Sequence, residues 1–280
     1  MQFLKFFQSV RTPALDAFFS TVTHLGEEQA FMVLGLVFLW CVNKRWGYRI
    51  CFLCMLGNVS NQLLKGIFCV PRPWVLDPSL TIVESAREAA TGYSFPSGHT
   101  QSAGGLFLGI ARVSRRVWPI ILCVVVTLLV GFSRMYLGVH TPADVLVSLG
   151  VALAMVLLFA PLFSLAWKNK RWFALIIGLL LGIGIALILY AELAPLPLGA
   201  IAEFSADGTK TAYTMFGASL GFCLVLWLEQ RYIRFSTEAA WWAQLLKVGI
   251  GLALVIAVRT LLKDPLLALC GGHNVAHMLR

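Results

Sequence analysis

The sequence predicts an all-α fold, a polytopic transmembrane helical bundle of about eight spans with an N-terminal interfacial amphipathic segment. Three observations carry that prediction. Of 280 residues, 59% are apolar and only 12% are charged, whereas a soluble domain is nearer half apolar and a quarter charged. Mean hydropathy is +0.82. The apolar residues fall into runs long enough to approach a bilayer's thickness, about 20 residues each. Every second connection between those runs is basic.

The elements follow in order. The opening "MQFLKFFQSVRTPALDAFFSTVTHLG" is amphipathic and interrupted by Pro13, which suits a segment lying in the interface better than a signal or a span. Spans are then expected at 27–43, 48–68, 98–112, 118–138, 143–165, 172–191, 211–229 and 241–262, the first and third being short. Lys44, Arg45 and Arg49 follow the first; Arg112, Arg115 and Arg116 the third; Lys168, Lys170 and Arg171 the fifth; Arg231 and Arg234 the seventh. Excess Lys and Arg marks cytoplasmic loops. The 192–209 loop, with Glu192, Glu203 and Asp207 and no basic residue, then falls outside, together with both termini and the 69–97 loop. The net charge of +9 is therefore a membrane signature rather than a nucleic-acid one. Compactness and the absence of a recognisable targeting signal suit a bacterial cytoplasmic membrane.

Three polar stretches interrupt this apolar background, all at the outer ends of spans two to five. "KGIFCVPRP" supplies Lys65 and Arg72, a point charge and a planar fork suited to phosphate oxygens. Pro73 holds Arg72 extended. "PSGH" opens the third span with Ser97, Gly98 and His99. A helix N-terminus presents free N–H groups and a positive dipole end to an anion, and glycine lets the ligand approach. "SRMYLGVHTPAD" supplies Arg134, His140 and Asp144. Thr141 suits an N-cap and Pro142 a first helical position. His140 and Asp144 are one turn apart, so the carboxylate can fix the imidazole tautomer and leave the other nitrogen as nucleophile or base. Each stretch alone has a bland reading: a snorkelling lysine, an ordinary cap, a satisfied helix pair. Together, in order and on one side of the membrane, they are the parts for phosphoryl transfer without a metal.

K-x6-RP, PSGH and SR-x5-H-x3-D resemble the three signature motifs of the type 2 phosphatidic acid phosphatase superfamily, with every motif position present. The resemblance implies His140 as nucleophile forming a phosphohistidine, Asp144 orienting it, and His99 as general acid for the leaving group. It implies Lys65, Arg72, Ser97, Gly98 and Arg134 as the phosphoryl cradle, with no metal and no cofactor. It further implies an integral-membrane hydrolase of lipid phosphates or pyrophosphates with its site on the extracytoplasmic side, acting on a membrane lipid and not on nucleic acid. A phosphatase of soluble phosphate esters, or a lipid phosphotransferase using the same histidines, are the alternatives.

The motifs lie within residues 1–165, taken as a phosphatase core; 166–280 is taken as an accessory region of about three spans. There Gly178-x3-Gly182 and Gly217-x3-Gly221 are small-residue packing faces, for an internal partner or a homo-oligomer. Asn58, Asn61, Gln62 and Lys65 form a polar stripe on span two, either lining a path to the site or bonding between helices. The 74–95 loop, with a helix expected over "VESAREAA", would form a lid or entry wall, with Trp74 and Tyr93 at interface depth. Cys51 and Cys54 form a CxxC inside a span, read as packing. His273 and His277 lack the glutamate of a metalloprotease helix.

Overall fold

The protein is described from a computed structural model covering residues 1–87, 90–194, 202–269 and 277–278. For 202–207, 263–264 and 266–269 the description is of the backbone alone. Among the described residues all regular structure is helical.

Each expected span corresponds to a helical stretch; among the described residues six helices are long and apolar enough to cross a bilayer, or seven if the bent pair Pro13–Gly26 and Glu28–Val42 counts as one span. The six are α4 (Lys44–Phe68), α8 (Val117–Tyr136), α9 (Pro142–Ala166), α10 (Lys170–Leu193), α11 (Ala202–Leu228) and α12 (Trp241–Leu269). Their outward faces carry bulky apolar residues such as Leu146, Leu153 and Leu157 on α9, as expected where lipid replaces water. The first expected span is α3 (Glu28–Val37), extended by a π-helical turn at Phe38–Val42. It meets the preceding helical segment Pro13–Gly26 at a 55° bend. The third is two short helices, α6 (Gly98–Ala103) and α7 (Gly109–Val113), joined by a π-helical turn at Gly104–Leu108. Sixteen residues reach only about 24 Å, short of the hydrocarbon thickness. This stretch is enclosed instead: Leu106 and Ala103 are fully buried. A Cβ on Gly104 would collide with the Ala152 Cβ, so α9 packs directly on the glycine.

The N-terminal segment forms α1 (Gln2–Ser9) and α2 (Pro13–Thr23), with Thr12 capping α2 and Pro13 in its first turn. Phe7 and Phe19 pack on Tyr136 at the end of α8. Arg11 reaches the carbonyls of Thr81 and Tyr136. Asp77 is held by Lys5 at 2.8 Å and by Ser79, which keep its pKa below the ordinary carboxylate range, at about 2.

The main core joins α4, α9, α10 and α11 through Tyr48, Phe52, Leu56, Phe163, Leu180 and Leu226. A second core joins α2, α4, α6–α7 and α8 through Val22, Ile50, Leu106 and Val130.

Several expectations are corrected. The helix over "VESAREAA" is a single 3₁₀ turn at Glu84–Ala86 among the described residues. The 192–209 loop is shorter, because α10 runs to Leu193 and α11 begins at Ala202. Gly178, Gly182 and Gly221 have nothing within 4 Å of the position a Cβ would take, so among the described residues they pack on no neighbour within the chain. Gly184, against Phe216, and Gly217, against the Met278 backbone, are the close approaches instead. Cys51 and Cys54 are free thiols, so their reading as packing residues needs no correction. His273 lies outside the described residues.

Candidate functional site

The sequence-picked residues converge at one end of the bundle because α4 and α8 end there while α6 and α9 begin there. Asn43 caps the other end of α4, and Asn169 caps α10 at that same end. There the basic loops gather: Arg49 reaches Ser164, Arg45 lies over Trp167, and Lys44 pairs with Glu229.

At the site end a cavity of about 640 Å³ opens, with Lys65, Arg72, Gly98, His99 and His140 in its lining. That volume suits a small ligand or headgroup. Ser97, Arg134 and Asp144 are buried behind this wall.

The third motif builds the imidazole's support. Thr141 caps α9, Pro142 occupies the first turn, and Thr141 and Asp144 form a reciprocal capping box, as the sequence suggested. Asp144 Oδ2 accepts from the Thr141 N–H at 2.8 Å and the Ser94 hydroxyl at 2.5 Å, and lies 3.2 Å from His140 Nδ1. On the other side, His140 Nε2 is 3.0 Å from Arg72 Nη1. A guanidinium only donates. Nε2 must therefore be the bare nitrogen and Nδ1 must carry the proton toward Asp144. Burial first, and then the charges of Arg72, Arg134 and Lys65, hold the His140 pKa well below the ordinary imidazole value. The ring is thus neutral, with its lone pair facing the cations.

Arg72 is extended at φ −67°, ψ 152°, as Pro73 requires, and precedes the one-turn helix α5 (Pro73–Leu76). Its fork is more committed than the sequence suggested. Besides His140, it donates to the carbonyls of Gly92, Thr91 and Val139 at 3.0, 2.6 and 3.1 Å. Arg72 therefore ties the 74–95 loop to the start of α9. Thr91, Gly92 and Tyr93 of that loop line the cavity, so the loop forms part of its wall. Trp74 lies beneath both Arg72 and Arg87, at 5.8 and 6.0 Å from ring centre to guanidinium.

Ser97 caps α6, its hydroxyl oxygen accepting from the Thr100 N–H and hydroxyl. Its backbone N–H donates to the Asp144 carbonyl at 3.2 Å, locking the starts of α6 and α9 together. The His99 Nε2 is buried without a hydrogen-bond partner. Arg134, fully buried, gives one bond, from Nη1 to Thr23 Oγ1 at 2.8 Å, while its Nε and Nη2 are unpaired. Among the described residues no carboxylate lies within ion-pair distance of Lys65, Arg72 or Arg134. Buried cations without a carboxylate in direct contact are costly, and here they surround one cavity.

The polar stripe on α4 does both things considered for it. Asn58 accepts from Ser102 at 2.8 Å, bonding α4 to α6, and Asn58, Asn61, Gln62 and Lys65 all line the cavity. The sequence reading did not reach four features. Ser94 holds Asp144. Glu27 and Glu28 stand in the wall. Tyr190 on α10 donates to the Gly66 carbonyl at 2.7 Å. Gly208, Thr209 and Met215 of α11 close the far side. Only Ser94 carried a usable signal, a hydroxyl two residues before PSGH; the rest are brought in by helices distant in sequence. Among the described residues no group of three or more His, Cys, Asp or Glu is arranged to hold a metal.

Fold and site together define an integral-membrane protein with a cation-lined pocket that holds two histidines. Residues 46–171 match the PAP2 superfamily model, and residues 213–280 match that of the PAP2 superfamily phosphatase, transmembrane extension. The chain belongs to the PAP2 superfamily and carries both its domain and its transmembrane extension. A probable sphingosine-1-phosphate phosphatase of Dictyostelium discoideum is 31% identical over 163 residues, 54% of this chain and 39% of the relative. An undecaprenyl-diphosphatase of Bacillus subtilis is 38% identical over 104 residues, 37% of this chain and 50% of the relative. A phosphatidylglycerophosphatase B of Bacillus subtilis is 29% identical over 163 residues, 54% of this chain and 75% of the relative. The chain thus spans half or less of the length of the first two relatives. No solved structure matches.

Proposed function

We propose that the protein is a metal-independent membrane phosphatase that hydrolyses lipid phosphates or lipid diphosphates through a phosphohistidine at the extracytoplasmic face. The observation that carries this reading is the pairing of a neutral His140, its Nε2 bare, with buried cations that lack a carboxylate partner. The printed functions of the relatives, all phosphatases of lipids or lipid diphosphates, support the substrate class.

His140 Nε2 attacks phosphorus, and the proton on Nδ1 stays with Asp144's support as the ring becomes cationic. Lys65, Arg72, Arg134 and the free N–H groups at Gly98 and His99 stabilise the equatorial oxygens, with the Ser97 cap holding that helix end in place. His99, which the negative charge of the bound phosphoryl group favours in its protonated form, gives that proton to the departing oxygen. The bare His99 then takes a proton from water as water attacks the phosphohistidine, releasing phosphate and restoring His140. The site sits at the end of the bundle opposite the basic loops, which supports an extracytoplasmic face. The open glycine face at Gly178 and Gly182 on α10 supports a homo-oligomer contact through the C-terminal spans.

The test is phosphate release by purified protein in detergent with EDTA. The panel holds phosphatidic acid, phosphatidylglycerophosphate, a polyprenyl diphosphate and a sphingoid phosphate, with glucose 6-phosphate as the soluble comparator. Release from lipids with EDTA present, absent in His140→Ala, is the expected result. Transfer to an acceptor with little free phosphate would overturn hydrolysis.

A further inference from the structure

The cavity continues past the cations along α4, and its wall there changes character. Asn61 lies one turn before Lys65 on the same helix face. It is 2% exposed, and both its amide oxygen and its amide nitrogen lack any hydrogen-bond partner. Both atoms are orphaned, so the assignment of oxygen and nitrogen does not affect the argument. Its Oδ1 stands 3.7 Å from the position a Cβ would take on Gly98, beside the N-terminus that presents N–H groups to the phosphoryl group. A buried amide with neither end satisfied costs several hydrogen bonds' worth of solvation unless a ligand supplies them.

The character of that ligand follows from what is missing. A phosphoryl group carries acceptors and can satisfy only the amide N–H₂. The amide oxygen requires a donor. Glu27 and Glu28, contributed to the same cavity by the bend before α3, add acceptors and negative charge, which repel phosphate oxygens and favour an O–H or an N–H₃⁺. Glu27 already takes a 2.6 Å contact from His24, so Asn61 is the residue with capacity in both directions.

We propose that Asn61 is a specificity-determining residue that hydrogen-bonds a hydroxyl or ammonium group on the leaving alcohol, next to the phosphorylated carbon. This rests on the phosphatase reading and narrows it: the preferred lipid carries a vicinal donor, as a long-chain amino alcohol phosphate or a glycerol-type lysolipid phosphate does, and a bare alkyl or prenyl phosphate does not.

The experiment compares kcat/KM for sphinganine 1-phosphate, lysophosphatidic acid and octadecyl phosphate, the last having a similar chain and no vicinal group. Wild-type protein prefers the first two over octadecyl phosphate. In Asn61→Leu that ratio falls by about tenfold or more, the scale of a lost hydrogen bond to a buried polar or charged group. In Asn61→Asp the ratio is kept for both lipids, and most fully for the ammonium lipid, because the carboxylate still accepts from either donor and adds charge opposite to the ammonium. This second variant keeps a polar group of the same shape and guards against a folding defect in the first. A wild type with no preference, or an Asn61→Leu that slows all three equally, overturns the proposal. If no lipid is hydrolysed, the phosphatase reading falls instead. Equilibrium binding of the same three lipids to the unreactive protein then decides the subsite by the same ratio.

Discussion

The two ends of α4 hold lysines in opposite circumstances. Lys44, at the start, is part-exposed and bonds the almost fully buried Glu229 at 2.7 Å and the Phe235 carbonyl at 2.8 Å. Lys65, in the last turn, is more buried and has no carboxylate within ion-pair distance among the described residues. The first arrangement completes a structure; the second leaves charge uncompensated where a cavity opens. One helix thus carries a cation tied into an ion pair at one end and a cation facing a cavity without one at the other, and the same contrast holds for Arg45 over Trp167 against Arg134 with two unpaired nitrogens.

The largest expected effect removes what the ready cations surround. His140→Ala should cut phosphate release by at least about 10³-fold, the scale of losing a covalent nucleophile, read by phosphate assay in detergent. A residual rate within about tenfold of wild type would break the comparison at its functional end.

Next comes Lys65→Met, which should cost about 10² in kcat/KM, as loss of one transition-state charge contact does. Its melting temperature should hold or rise, because a buried cation without a partner is removed. Vanadate should raise the melting temperature of the wild type and do so much less in this variant. A large loss of stability would mean that Lys65 is as structural as Lys44.

Lys44→Met sharpens the contrast from the other side. It leaves Glu229 buried with only the Phe235 N–H at 3.4 Å as a partner, and should destabilise by about 2 kcal/mol, below the fully buried range because Lys44 is part-exposed. Activity per folded molecule should stay within about twofold of wild type.

The smallest effect is at the wall contributed by α10. Tyr190→Phe removes the bond to the Gly66 carbonyl, next to Lys65, worth about 1 kcal/mol, or about fivefold in KM if it acts wholly on substrate binding. Steady-state kinetics separates this from a change in kcat.

Much of this was legible in the chain because its causes are local. Thr141-Pro142 followed by Asp144 sets a capping box wherever the helix starts, and Ser97 caps α6 for the same reason. Six long apolar helices follow from bilayer thickness. The third expected span is short and enclosed by its neighbours, and composition cannot tell a lipid-facing helix from an enclosed one. Gly104 against Ala152 and the buried Leu106 show that the stretch is packed by protein. The helix expected over 83–90 lost to the ties that Arg72 makes with Thr91 and Gly92.

By itself, the sequence determined the helical membrane class, the alternation of basic ends and the residues gathered in the three motifs, because hydropathy, capping and charge act over a few residues. Only the tertiary structure decided which nitrogen of His140 is bare, since that depends on Arg72, distant in sequence, meeting the ring opposite Asp144. It also decided that α10 and α11 close the cavity and that Asn61 is left with both amide ends open. Those outcomes depend on which helices meet, and helix contact is set by packing across the whole bundle.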